Sequence, residues 1–207
     1  MEGRREAKKR AIRAAVRDAA LRLAVRDGVE HVTIERIADE ADIALRTFFN
    51  HFSSKEEAVM ATASAGAEAL VARFRARPRT ESVLEALREA VLLVLDQDEP
   101  SSRDLVASFR LLRRSPSLVP QQLAVLAAQE KNLAAAIAER AGLAAGPVYP
   151  AICAAAALSA LRVVLDRWLD QAAAAGEPPD PPSMAALRAG TDEAISELAA
   201  GLDRPGA

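Results

Sequence analysis

The side chains best suited to do chemistry gather in one short segment, Thr33 to Phe52. Both histidines of the chain, His31 and His51, lie in or beside it, with Arg46, Thr47 and Asn50 between them. These groups suit nucleic-acid surfaces. A guanidinium matches the paired acceptors of guanine, and hydroxyl, amide and imidazole groups reach base edges or phosphates. Nucleophilic and metal chemistry find no comparable cluster. Cys153 is the single cysteine, set among alanines with no histidine near it in sequence. It reads as a small buried thiol and excludes an internal disulfide framework. Without a Gly-rich phosphate loop or metal-ligand spacing, no catalytic residue, metal or cofactor is assigned.

Those side chains need elements that present them. Thr33 is placed to cap a short helix whose apolar side is Ile34, Ile37, Ala38 and Ala41. Asp42 breaks it, and the chain turns at Ile43 into a second helix through Leu45, Arg46, Thr47, Phe48, Phe49, Asn50 and His51. Two short helices joined by a tight turn form the helix-turn-helix layout. Its second helix lies in the major groove and its first crosses the backbone. Packing of the pair demands apolar residues at Ile37, Ala38, Ile43, Phe48 and Phe52, with Ala38 small because the helices cross closely. Upstream, Ile12, Val16, Ala19 and Leu23 recur at helical spacing, and Gly28 is suited to stop that helix. Downstream, Ser53 or Ser54 caps a fourth helix opening with Lys55, Glu56 and Glu57.

The rest of the chain reads as longer helices between breakers. The fourth helix ends at Pro78 to Thr80, and a fifth runs from Glu81 to Leu95. A turn from Asp96 to Ser102 around Pro100 precedes a sixth helix, closed at Arg114 by Ser115-Pro116. The seventh spans Ser117 to Ala141, the eighth Val148 to Ala175, and the ninth Ser183 to Ala200. Gly142 and Gly146-Pro147 separate the first two of these, and a loop with Pro178, Pro179, Pro181 and Pro182 the last two. Aromatic residues are only 3% of the chain while alanine abounds, which favours close-packed helices over strands. The expectation is all-α, with about nine helices in all.

Charge is unevenly spread. Met1 to Arg26 holds nine basic and three acidic residues, yet the whole chain is at −2, so a basic N-terminal surface precedes an acidic body. Such a surface suits a polyanion. The most apolar stretch, Ala151 to Leu161, falls short of the roughly 20 residues a membrane span needs, and the N-terminus lacks a secretory apolar region. The expectation is a cytoplasmic protein with no membrane partner.

The stretch TIERIADEADIALRTFFNHFSSKEEAV closely resembles the TetR family signature: capped helix, turn, aromatic-rich recognition helix and Ser-Lys-Glu-Glu start. The match covers roughly Arg10 to Met60. The resemblance implies an N-terminal three-helix DNA-binding domain at residues 1–57 and a helical ligand-binding and dimerisation domain at 58–207. It makes Ala44, Leu45, Arg46, Thr47, Phe49 and Asn50 the DNA-facing set, with Arg46 leading for a base contact. Thr33 and Lys55 resemble flanking phosphate contacts, and His51 a further backbone contact. Asp42 stands where the family usually has glycine, and Phe49 where it usually has a phosphate-reaching tyrosine. Ala44 and Leu45 replace residues that are often polar and are limited to apolar contacts such as thymine methyls.

For the second domain the resemblance implies a small inducer and a homodimer. Pocket candidates are Val91, Leu105, Phe109, Leu112 and Leu126, then Leu161, Leu165 and Trp168, with Arg113 at an apolar border. An apolar, aromatic-poor body suits a hydrophobic or acyl-type inducer. Dimer candidates are Ala155, Ser159 and Arg162 on the eighth helix and Met184, Leu187, Ile195 and Leu198 on the ninth. The implied function is a ligand-responsive transcriptional regulator, a repressor on a near-palindromic duplex operator. The alternative is a helical protein-interaction module without sequence-specific DNA binding, which predicts no salt-dependent retention on DNA.

Overall fold

The computed structural model describes residues 2–95, 99–143, 148–174 and 184–201, with backbone alone at residues 2, 99–106 and 172–174. The α-helices are α1 (Glu2–Asp27), α2 (Ile34–Glu40), α3 (Leu45–Phe49), α4 (Lys55–Ala76), α5 (Val83–Leu95), α6 (Glu99–Arg114), α7 (Val119–Ala141), α8 (Val148–Ala174) and α9 (Met184–Ala200). Short 3-10 turns occupy Val29–His31 and Pro116–Leu118, and no strand occurs among the described residues. The all-α expectation holds. The proline-rich loop before the last helix lies outside the described residues.

The chain forms two compact units, Met1–Ala67 with Asp98–Leu126, and Glu68–Gln97 with Ala127–Ala207. In the first, the apolar stripe of α1 (Val16, Ala19, Ala20, Leu23) meets Ile37 of α2, Phe48 of α3, Phe52, and Val59 and Met60 of α4. Leu118, far away in sequence, is fully buried in the same cluster. Gly28 stops α1 at φ 83°, a backbone conformation an L side chain resists.

The second unit is built around Phe74, Leu87, Leu133, Ile137, Ala154, Ala157 and Ile195. Small residues let its helices approach closely. A Cβ placed on Gly190 of α9 would stand 3.1 Å from the Val164 Cγ1 of α8. Arg88 of α5 pairs with Asp192 of α9 at 2.7 Å. Arg140 of α7 donates to the carbonyls of Arg77, Pro78 and Glu81, and its guanidinium lies 5.4 Å from the Phe74 ring centre.

Three local readings need correction. The fifth helix begins at Val83 rather than Glu81, because Ser82 takes the cap: its hydroxyl accepts from the Glu85 amide and Glu85 accepts from the Ser82 amide. That reciprocal pair satisfies two otherwise orphaned donors. The sixth helix starts at Glu99, with Pro100 inside its first turn, where a proline costs no intrahelical hydrogen bond. Finally, by length and composition alone, Val148–Gln171 is long and apolar enough to cross a bilayer. The expectation ended the apolar stretch at Leu161 and did not count Val163, Val164, Leu165, Trp168 and Leu169 toward it, because Arg162 interrupts the run. Ala154, Ala157, Val164, Trp168 and Leu169 are buried within the protein itself.

Candidate nucleic-acid interface

The helix-turn-helix is assembled by local chemistry. The Thr33 hydroxyl accepts from the Arg36 amide and caps α2, as its position in sequence predicts. Asp42 carries the turn at φ 50°, the left-handed role usually given to glycine. The Ile43 amide then donates to the Ala38 carbonyl at 3.0 Å, closing the turn onto the end of α2. Phe48 is fully buried and anchors α3, its ring 5.8 Å from that of Phe52 and 5.6 Å, edge-on, from that of Phe49.

With Phe48 fixed inward, the rest of α3 faces solvent. Ala44, Leu45, Arg46, Phe49 and Asn50 are exposed, and Thr47 is half-buried. Leu45 and Phe49 are 41% and 55% exposed, unusual for large apolar groups, and Arg46 lies between them in sequence. The helix is shorter than expected: Asn50 is its C-cap and His51 belongs to the following turn.

His51 is half-buried, and burial first, then the charges of Lys9 and Arg13, hold its imidazole below the usual range. Its carbonyl accepts from Arg13 Nη1 at 3.0 Å, and the Arg13 guanidinium lies 4.6 Å from the Phe52 ring centre. This role of Arg13 was not anticipated. Nor was that of Arg36, which donates to the His31 carbonyl and to the Asp27 carboxylate. Hydrogen bonds from Arg26 and Arg36 hold Asp27 at about 2.

Lys55, for which the resemblance implied a phosphate contact, has backbone partners within the chain. Its ammonium donates to the carbonyls of Val32 (2.9 Å), Val29 (3.0 Å) and Glu30 (3.4 Å). An ammonium has three donors, and here all three are turned toward backbone. The start of α4 is thereby clasped to the 3-10 turn that precedes α2. Ser54 caps α4 through the Glu57 amide, while Glu57 reaches back to the Ser53 amide and hydroxyl.

The residues singled out for an inducer pocket divide between the units. Val91 and Trp168 are buried in the second unit, with Leu161 packed on its core and Leu165 half-buried. Phe109, Leu112 and Leu126 belong to the first unit and are half-buried, whereas Arg113 is exposed. The Leu105 side chain lies outside the described residues.

Of the dimer candidates, Leu187 and Ile195 are 3% and 4% exposed, so they face the chain's own interior. Their helix α9 packs on both α5 and α8, which consumes its apolar stripe. Met184, Leu198 and Ala155 are half-buried, and Ser159 and Arg162 are exposed. The sequence reading missed Val148, Tyr149, Ile152 and Val163, large apolar groups of α8 left open to solvent. Their signal was present: Val148, Ile152, Ala155, Ser159 and Val163 follow one another at intervals of three or four residues.

Comparison with known proteins agrees with this architecture. The family model for bacterial regulatory proteins of the tetR family matches residues 16–61, and that for the MftR C-terminal domain matches residues 81–203. The HTH-type transcriptional regulator TcmR of Streptomyces glaucescens is 36% identical over 147 residues, 68% of this chain; the match spans 65% of the relative's length. SmeT, the repressor of the Stenotrophomonas maltophilia multidrug efflux pump SmeDEF, superposes with a TM-score of 0.58 at 20% identity, covering 94% of each chain. Thermus thermophilus FadR in complex with lauroyl-CoA gives 0.53 at 20% identity, over 94% of this chain and 97% of that one. The two structural likenesses show the fold. The two family models together take in both the helix-turn-helix and most of the chain beyond it, and the chain belongs to the TetR family of bacterial regulatory proteins.

Proposed function

We propose that this protein is a cytoplasmic, ligand-responsive transcriptional repressor that binds a near-palindromic operator as a homodimer. The observation that carries the reading is α3 itself. It is pinned by the buried Phe48, with Leu45, Arg46, Phe49 and Asn50 presented together on its open side. Such a face mixes apolar groups for thymine methyls with donors for guanine and adenine edges. Arg46 reads base edges, Thr33 marks the α2 N-terminus facing phosphate, and His51 contacts backbone.

The homodimer is supported by the open apolar stripe of α8, continued by Ser159 and Arg162. Pairing two such helices about a two-fold axis would cover both stripes and place two α3 helices in successive major grooves. A small hydrophobic or acyl-type inducer, held among Val91, Leu161, Leu165 and Trp168, would favour a head spacing that no longer fits the operator. Its effect on DNA affinity is then a coupling free energy between the two sites. The lauroyl-CoA bound to the structurally similar FadR makes acyl thioesters the first ligands to try.

The test is selection of bound sequences from a random duplex library, run with the parent and with Arg46→Ala. An enriched near-palindrome that the substitution blurs supports the reading. A folded protein that enriches nothing at low salt refutes it. Thermal shifts with an acyl thioester panel, flat throughout, would remove the inducer part alone.

A further inference from the structure

Ahead of the matched region at residue 16, α1 continues as helix back to Glu2. Between Gly3 and Ala15 it carries Arg4, Arg5, Lys8, Lys9, Arg10 and Arg13 against one carboxylate, Glu6. Gly3 to Ala11 are all exposed, and packing begins only at Ile12. This piece of helix buries nothing, and like charges four residues apart work against it. Among the described residues, Arg4, Arg5, Lys8, Lys9 and Arg10 have no ion-pair partner, whereas Arg17, Arg22 and Arg26 further along α1 each have one.

The direction of the piece is set by Arg13. Its bond to the His51 carbonyl and its stacking on Phe52 fix α1 beside the end of α3. Lys9 and Arg5 precede Arg13 at intervals of four, each step about 6 Å along the helix axis. Lys9 is close enough for its charge, with burial and Arg13, to depress the His51 imidazole. Lys9 and Arg5 therefore extend outward from the same side of the first unit that presents the recognition helix, with Arg10 at the border of that side and Arg4 and Lys8 around the helix from it. A duplex carries about one phosphate charge per 1.7 Å of its axis, both strands counted, so several phosphates come within reach of the stripe.

We infer that residues 3–15 of α1 are a sequence-independent anchor on the DNA backbone flanking the groove that α3 occupies. This rests on the DNA-binding reading and adds to it a second contact surface, which supplies affinity without sequence preference. Phosphate would also relieve the repulsion among the cations, so the helix gains a partner that its own chain does not provide.

The test uses the full-length protein carrying Arg4→Gln, Arg5→Gln, Lys8→Gln, Lys9→Gln and Arg10→Gln, with Arg13 kept because it packs on Phe52. Glutamine is a good helix former, and unchanged circular dichroism and melting confirm the fold. Dissociation constants are measured against salt on the selected operator and on a scrambled duplex. Two phosphates lost per head lower the magnitude of the log–log salt slope by about 1.8 per head. Both duplexes should weaken by the same factor, tenfold or more, with their ratio preserved. A variant in which Arg4, Arg5 and Arg10 become lysine should keep the slope of the parent. An unchanged slope with constants within twofold of the parent overturns the inference and leaves a solvated helix face. A loss confined to the operator also overturns it, since that is base readout. If the parent itself shows no salt-dependent retention, the DNA-binding reading falls with it.

Discussion

Replacing Lys55 by methionine separates two roles that the sequence cannot distinguish. Methionine keeps most of the apolar stem and removes only the ammonium. The structure places that ammonium on the Val32, Val29 and Glu30 carbonyls at 2.9, 3.0 and 3.4 Å. The bonds to Val29 and Val32 are part-buried and short enough to be charge-assisted, while the third is long and its carbonyl is open to water. Hydrogen bonds to charged groups are worth about 1.5–3 kcal/mol net. Water can reach some of the vacated acceptors, so the cost is that of about one such bond, roughly 2 kcal/mol. With a urea dependence of about 1–3 kcal/mol per molar, the unfolding midpoint of the first unit falls by about 1 M. Denaturation followed by circular dichroism gives the size, and hydrogen exchange at the Val29 to Val32 amides locates it. DNA affinity weakens, but the salt slope stays that of the parent. A phosphate contact predicts the reverse: full stability, and a slope reduced by about 0.9 per head. That second pattern would refute the clasp.

Further expectations follow from the same contacts. Gly190→Leu should destabilise the second unit by roughly 1–3 kcal/mol, because the Cβ already stands at 3.1 Å from Val164. Gly190→Ala should stay within about 1 kcal/mol of the parent, since its better helix propensity offsets the crowding; equal melting for both variants would contradict this. Ser82→Ala removes the cap of α5 and should cost about 1 kcal/mol, most of it already lost in Glu85→Ala if the two act as one box. His51 is held below its ordinary 6.5 by burial, with Lys9 and Arg13 adding to it. The unfolded chain therefore takes up this proton first, so stability is full above 6.5 and declines as pH falls below it. Urea titrations at high and low pH should show a smaller acid loss in His51→Gln than in the parent, and equal losses would rule the assignment out. On the open stripe of α8, Ile152→Glu should convert a dimer to monomer in sedimentation at micromolar concentration without lowering the melting point of the chain, because Ile152 is 62% exposed.

Much of the first unit was legible because its signals are local. Thr33 caps because a hydroxyl ahead of a helix satisfies an orphan amide, and Phe48 is buried because only that face of a short helix meets α1. Asp42 could be read as a turn residue since its side chain tolerates the left-handed region. Sequence says least where a side chain is long and has several partners to choose from. Lys55 and Arg13 both look like free cations in sequence, yet one is spent on three carbonyls and the other on a carbonyl and a ring.

In the second unit the sequence by itself determined that the segments are helices and where glycine and proline interrupt them. Composition and helical period are sufficient for that, because each helix satisfies its own backbone. Which side of each helix points inward was decided only by tertiary packing. Leu187 and Ile195 look as suited to a partner as to a core, and α5 together with α8 claims them for the core. Val148, Ile152 and Val163 look like core residues, and the fold leaves them outside. Apolar burial has no direction of its own, so a stripe records that it must be covered and not by what.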